Sequence, residues 1–286
     1  MFQDNFYEKS THEIRPLNPE EDTSKDKNEF VTATEVEIHS KKGEGNFNFL
    51  GDKWKGIANA ANTDEVFAIV GKGYKIAQHQ DVYEMVTDAI RDNSLNANVQ
   101  MLELNDGARI HGRITFPDLK FDLNGREITM RMTFDNSYNY TTGVRMIVGA
   151  LCQHSGVYYY IRERFSTFYH RHTKGLDIRD IEKKVQKGVD VFQNKIRDKF
   201  ATYAATNINP NKVNDFLEEC VNDKVIPEKY LKSIMENAKN CTNQFDLYEA
   251  SCQVLTTEMN DTSIDSQRDH MIKMDTRITS KLKDLV

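Results

Sequence analysis

The chain is poor in the residues that most often declare a mechanism. Its 286 residues include four cysteines, five prolines and a single tryptophan. Cys152, Cys220, Cys241 and Cys252 form no C-x-x-C pair, which excludes a zinc ribbon or a thioredoxin-like motif, and they read as buried or free thiols of a reducing compartment. No apolar run approaches the ~18 residues of a membrane span. The opening MFQDNFYEKS lacks the basic-then-apolar order of a secretory signal, so the expected location is the cytoplasm of a host cell. Gly71-x-Gly73 lacks the third glycine and the strand-to-helix context of a dinucleotide fingerprint, and no G-x-x-x-x-G-K-[ST], G-x-S-x-G or H-E-x-x-H occurs. Nucleoside-triphosphate use and hydrolytic chemistry therefore have no residues to carry them, and neither a cofactor nor a catalytic residue is expected.

What is present is a polar but foldable composition, with 29% charged, 38% hydrophobic and 10% aromatic residues. The aromatics argue against wholesale disorder. A net charge of −6 speaks weakly against nucleic acid, but the charge is uneven. Residues 151–200 hold eleven basic against six acidic side chains, while both ends of the chain are acidic.

The pattern predicts an α+β fold in three parts: a mobile acidic arm over 1–45, an α+β core domain over 46–175 and a helical region over 176–286. The arm contains the proline-broken PLNPEEDTSKDKNE, with an alternating stretch near Glu35 that fits an edge strand, and Trp54 reads as the anchor of the arm's end. Residues 66–70 and 74–79 predict two strands joined by the glycine turn, then a helix on Val82, Met85, Val86, Ala89 and Ile90. An antiparallel meander follows, with hairpin turns at Asn105-Asp106-Gly107 and Asn124-Gly125. In its last strand Ile128, Met130 and Met132 alternate with Thr129, Arg131 and Thr133, which puts Arg131 on the face away from the core. Apolar residues from Ile178 to Tyr203 recur at three and four positions, predicting about seven helical turns, and shorter helices follow from Pro210, from Pro227 and over 245–259.

Two segments carry candidate chemistry. Residues 157–174, VYYYIRERFSTFYHRHTK, interleave six aromatics with Arg162, Arg164, Arg171, Lys174 and two histidines. Aromatic faces stack on bases and cations hold phosphates, as a single-strand binding surface requires. The same positions fit helical spacing, so a core helix with solvated arginines is the competing account. Residues 134–143 turn from a strand into a polar run, Asp135-Asn136-Ser137-Tyr138-Asn139-Tyr140-Thr141-Thr142, whose amides and hydroxyls can read phosphate, sugar or base edges. The alternative is a loop whose side chains satisfy their own backbone. His154, His170 and His172 invite a metal, but no further ligand is evident beyond Cys152, so none is expected. His79 and His111 fall in β segments and read as satisfied, half-buried side chains.

The stretches YKIAQHQDVYEMV (74–86), FDNSYNYTTGVRMIVGALCQHSG (134–156), HRHTKG (170–175) and FDLYEASCQVLTTEMN (245–260) together resemble the phage- and plasmid-like family known as domain of unknown function 932. The match spans roughly 65–280. The resemblance implies a mobile-element protein in a host cytoplasm and supplies no catalytic residues.

Together these features predict a non-enzymatic, mobile-element protein that binds single-stranded DNA and assists annealing or recombination, as a homo-oligomer. Arg131, Arg145, Arg162, Arg164, Arg171 and Lys174 would meet phosphates, with Tyr138 and Tyr140 stacking or hydrogen-bonding. The alternative is an interaction or structural protein that contacts a phage or host protein through its acidic ends and helical C-terminal part.

Overall fold

The computed structural model describes residues 15–17, 30–42, 46–49, 53–161, 167–173, 180–258 and 264–281. Most of the expected acidic arm, and Arg162, Arg164 and Lys174, lie outside the described residues. The fold is α+β. The strands are β1 (Arg15–Leu17), β2 (Ala33–Val36), β3 (His39–Lys42), β4 (Asn46–Phe49), β5 (Trp54–Asn59), β6 (Asn62–Gly71), β7 (Ala97–Leu104), β8 (Arg109–Leu123), β9 (Arg126–Ser137), β10 (Val144–Cys152), β11 (Tyr158–Tyr160) and β12 (Thr167–His170). The main sheet runs β1-β7-β8-β9-β10-β11, with β12 also on β10, and a three-stranded sheet runs β2-β5-β6. Asn105 and Asp106, and Asn124 with Gly125, adopt positive φ at the two expected hairpins, the conformation that makes Asn, Asp and Gly the residues of tight turns.

Helix α1 (His79–Asp92) follows the glycine turn. Its predicted face is buried at Val82, Val86, Ala89 and Ile90. The long helical repeat after residue 178 forms α2 (Asp180–Asp190), a π-helical segment at 191–196 and α3 (Arg197–Ala205). The remaining helices are α4 (Pro210–Asn222), α5 (Leu231–Ala238), α6 (Gln244–Thr257) and α7 (Ile264–Ser280). Asn209 caps α4 ahead of Pro210, and Asn243 caps α6 through the Asp246 N–H, each side chain satisfying a backbone donor that the helix leaves open.

Two compact units emerge, divided otherwise than at residues 45 and 175. One comprises 1–115, 133–146 and 168–186, the other 116–132, 147–167 and 187–286. In the first, Ala33, Ile57, Val70, Tyr74 and Tyr138 form a core with Phe67, Ala68 and Ile76 packed on it. In the second, Tyr159 packs edge-on to Phe200 and against Phe245 and Tyr248.

Three expectations are corrected. Residues 74–78 form no strand, because β6 pairs with β5 before the glycine turn rather than with the segment after it. His79 consequently opens α1 instead of ending a strand. Residues 158–160 and 167–170 are strands, not part of a core helix. The spacing of their aromatics imitates a helical stripe, yet Tyr158, Tyr159 and Tyr160 are all buried and pair in register with Leu151, Ala150 and Gly149.

Candidate nucleic-acid interface

The polar run after residue 134 is largely consumed in holding the first unit together. Asp135 accepts hydrogen bonds from Arg109 at 2.6 Å and from His111 Nδ1 at 3.0 Å, all three side chains being buried. Asn136 donates its amide to Ala77 O at 2.8 Å and to His79 Nδ1 at 2.9 Å. His79 must then carry its proton on Nε2, where it donates to Gly107 O at 3.1 Å. Burial lowers the His79 pKa to about 3, so the ring is neutral at physiological pH. Burial also lowers that of His111, against the opposing pull of Asp135.

Tyr138 is wholly buried, stacked on His79 and on Phe67. Its hydroxyl accepts the His79 N–H at 2.8 Å and lies 3.0 Å from both Val31 O and Gln78 Oε1. Gln78 in turn bonds the N–H and the C=O of Ala33, standing in for a strand partner. Tyr138 therefore presents no surface to a ligand, which removes it from the expected site.

Two residues on, Tyr140 is in the opposite situation. It is 72% exposed and holds a φ of 64°, a left-handed conformation that is rare and strained for a bulky residue. The loop is pinned on both sides. Ser137 Oγ donates to Thr142 O at 2.7 Å and accepts the Thr142 N–H at 3.0 Å, while Asn139 Oδ1 accepts from the Thr141 hydroxyl at 2.6 Å. A Cβ on Gly143 would lie 2.2 Å from His170 O, so only glycine permits this approach of the loop to β12.

Tyr140 thus overhangs a cleft of about 520 Å³, lined by Trp54, Ile69, Val70, Gly71, Gly73, Tyr74, His172 and Thr173 as well. The Tyr140 ring lies 6.1 Å from Tyr74, which is stacked at 4.9 Å on His172. His172 and Lys75 form a two-point clip, in which the Lys75 N–H donates to His172 O at 3.2 Å and the imidazole Nδ1 lies 3.1 Å from Lys75 O. Trp54, expected to anchor the arm's end, is 48% exposed on the cleft wall.

Exposed cations stand beside the lining residues. Lys53 precedes Trp54, Lys72 sits between Gly71 and Gly73, Lys75 follows Tyr74 and Arg171 precedes His172. Among the described residues none of the four has a hydrogen bond or ion pair from its side chain. In the same unit the half-buried Arg145 lies over the half-exposed Tyr169 ring at 5.2 Å. In the other unit Arg131, expected on a face away from the core, is half-buried between the buried Thr129 and Thr133, because β9 is covered on both faces, and it lies over the Tyr158 ring at 5.0 Å. In the first unit, the rings of the cleft supply π-faces for planar rings, and Lys53, Lys72, Lys75 and Arg171 supply exposed cations for phosphates.

His170 packs against Phe168, and His154 is exposed in the turn after β10. Among the described residues no group of three or more metal-ligating side chains comes together. In the second unit a polar cleft of about 800 Å³ contains Arg126, Ser155, Asp246 and Glu249, but these side chains are bound to one another. Arg126 pairs with Asp246 at 2.9 Å and Glu249 at 3.1 Å, and Glu249 also accepts from Ser155 and Tyr159. Burial pushes the Cys220 and Cys241 thiols up to about 12, which leaves them protonated and poor nucleophiles.

Comparison with protein-family models, with curated proteins and with solved structures yields no match. The residues missed from sequence are Lys53, Trp54, Lys72, Tyr74 and Lys75. Their signal was available: Lys-Trp-Lys and Gly-Lys-Gly-Tyr-Lys repeat, on a small scale, the basic and aromatic interleaving that singled out 157–174.

Proposed function

We propose that the chain is a non-catalytic single-stranded DNA-binding protein of a phage or plasmid, acting in the host cytoplasm to assist annealing or recombination. Bases stack on Tyr140 and Trp54 at the cleft, and Lys53, Lys72, Lys75 and Arg171 hold the flanking phosphates. Arg145, half-buried over Tyr169, borders the path without adding to these four phosphate contacts. The observation that carries this reading is Tyr140, a strained aromatic over an aromatic-lined cleft, beside which the side chains of Lys53, Lys72, Lys75 and Arg171 have no partner among the described residues. Four cations are a small electrostatic footprint, which homo-oligomerisation would multiply along a strand. Fluorescence anisotropy with a labelled oligothymidylate tests the proposal: saturable binding at low salt that weakens on Tyr140→Ala supports it, and no binding at low salt refutes it.

A second reading, contact with a phage or host protein, is favoured by β6. This strand ends the three-stranded sheet and exposes Val66 and Ile69, the kind of edge that accepts an added strand. Under this reading Val66→Lys abolishes capture of the partner while leaving oligonucleotide binding untouched.

A further inference from the structure

Gly71 and Gly73 line the aromatic cleft, yet the fold does not require either to be glycine. Neither adopts positive φ. A Cβ on Gly73 would meet nothing within 4 Å, and one on Gly71 would meet only Lys53 O at 4.0 Å. Glycine at such positions leaves backbone bare, which matters where another group must come close to it.

The turn is otherwise firmly built. The Lys72 N–H donates to Lys53 O at 3.1 Å and the Tyr74 N–H donates to Gly71 O at 2.9 Å. The Gly73 N–H between them has no acceptor among the described residues. Lys72, at the turn's centre, is exposed, and so is Lys75 beyond it. A bare backbone donor flanked by two ammonium groups, at the edge of a stacking cleft, matches the chemistry of a phosphate oxygen.

We infer that the turn of Gly71, Lys72 and Gly73 is the phosphate-contacting element of the cleft, receiving a nucleotide phosphate on the Gly73 N–H and Lys72 while the attached base stacks on Tyr140. The inference rests on the single-strand reading of the site and adds to it the place of the backbone. The same phosphate chemistry is offered by a strand and by a free nucleotide, so the probes separate them. A methyl group at Gly73 projects into open space in the protein and into the path of the ligand.

The test uses the full chain and its Gly73→Ala, Gly73→Val and Lys72→Ala variants. Thermal midpoints establish that each variant is folded. Anisotropy with oligothymidylate measures strand affinity, and the Gly73 amide resonance is followed during titration with thymidine 5′-monophosphate and with thymidine. The expected result is an unchanged midpoint for Gly73→Ala, strand affinity weakened about tenfold and further for Gly73→Val, and a Gly73 amide shift with the monophosphate but not the nucleoside. Wild-type strand affinity in both glycine variants overturns the inference and leaves the strand reading intact. An amide shift with the monophosphate, without strand binding by the wild type, overturns the strand reading and supports a phosphate site for a free nucleotide. Neither strand binding nor an amide shift overturns both.

Discussion

Tyr138 lies flat on His79, ring centroids 3.8 Å apart, and its hydroxyl accepts the backbone N–H with which His79 opens helix α1. One side chain thus joins the β9 exit, the start of α1 and the carbonyl of Val31. Tyr138→Phe keeps the ring and removes the acceptor, leaving a buried helix-terminal donor unsatisfied at a cost of about 1–3 kcal/mol. Urea unfolding should show a lower midpoint with the denaturant slope unchanged, the product of shift and slope equalling that loss.

Tyr140 should behave in the opposite sense. Its left-handed backbone is unfavourable for any residue with a Cβ, so Tyr140→Gly should raise stability by up to about 1 kcal/mol. The same change removes the exposed stacking face and should weaken oligonucleotide binding by about 1–3 kcal/mol. A rise in thermal midpoint combined with a loss of affinity marks a position where stability has been given up for binding; a fall in midpoint would show that the ring contributes packing instead.

Acid sensitivity follows from the buried neutral histidines. Burial lowers the His79 pKa from its ordinary 6.5 to about 3 and also lowers those of His111 and His172. A group that binds its proton less readily when folded favours the unfolded state once the unfolded form protonates. Stability from His79 is therefore fully present above pH 6.5 and lost as pH falls towards 3, with a slope approaching about 1.4 kcal/mol per pH unit. Denaturant unfolding at pH 7.5 and pH 5.0 should show this loss, and His79→Gln, although less stable at pH 7.5, should show a shallower dependence.

In the second unit Glu249 gathers Arg126, Ser155 and Tyr159. Glu249→Ala leaves the buried Tyr159 hydroxyl without this acceptor and should destabilise the protein by about 1–3 kcal/mol. Oligonucleotide affinity should stay unchanged, because the stacking and phosphate groups all belong to the first unit. Loss of affinity in a folded Glu249→Ala protein would move the binding surface to the second unit.

Local chemistry was legible in the sequence, and partnership across the chain was not. The hairpins at Asn105-Asp106-Gly107 and Asn124-Gly125 could be read because positive φ selects a few residue types. The buried triplet of Ile128, Met130 and Met132 followed from strand alternation, and the face of α1 from helical periodicity. Residues 158–160 misled because the consecutive aromatics of a strand buried on both faces include positions that also fit a helix stripe. Asp135, Asn136 and Tyr138 looked available because their partners, Arg109, His111, His79 and Val31, lie 24 to 107 positions away. The interface shifted for the same reason. Tyr140 was visible as an aromatic in a polar loop, whereas its neighbours Trp54, Tyr74 and His172 meet it only after folding.

Binding of single strands through cleft cations is measured by its dependence on salt. Neutralising one phosphate contributes a slope of about −0.7 to log K against log salt, so contacts by Lys53, Lys72, Lys75 and Arg171 predict about −2.8 for each bound chain. Lys72→Ala should reduce the steepness by about 0.7, and Tyr140→Ala should weaken binding at every salt concentration without altering the slope. No binding at low salt, or a slope that Lys72→Ala leaves unchanged, would contradict the account.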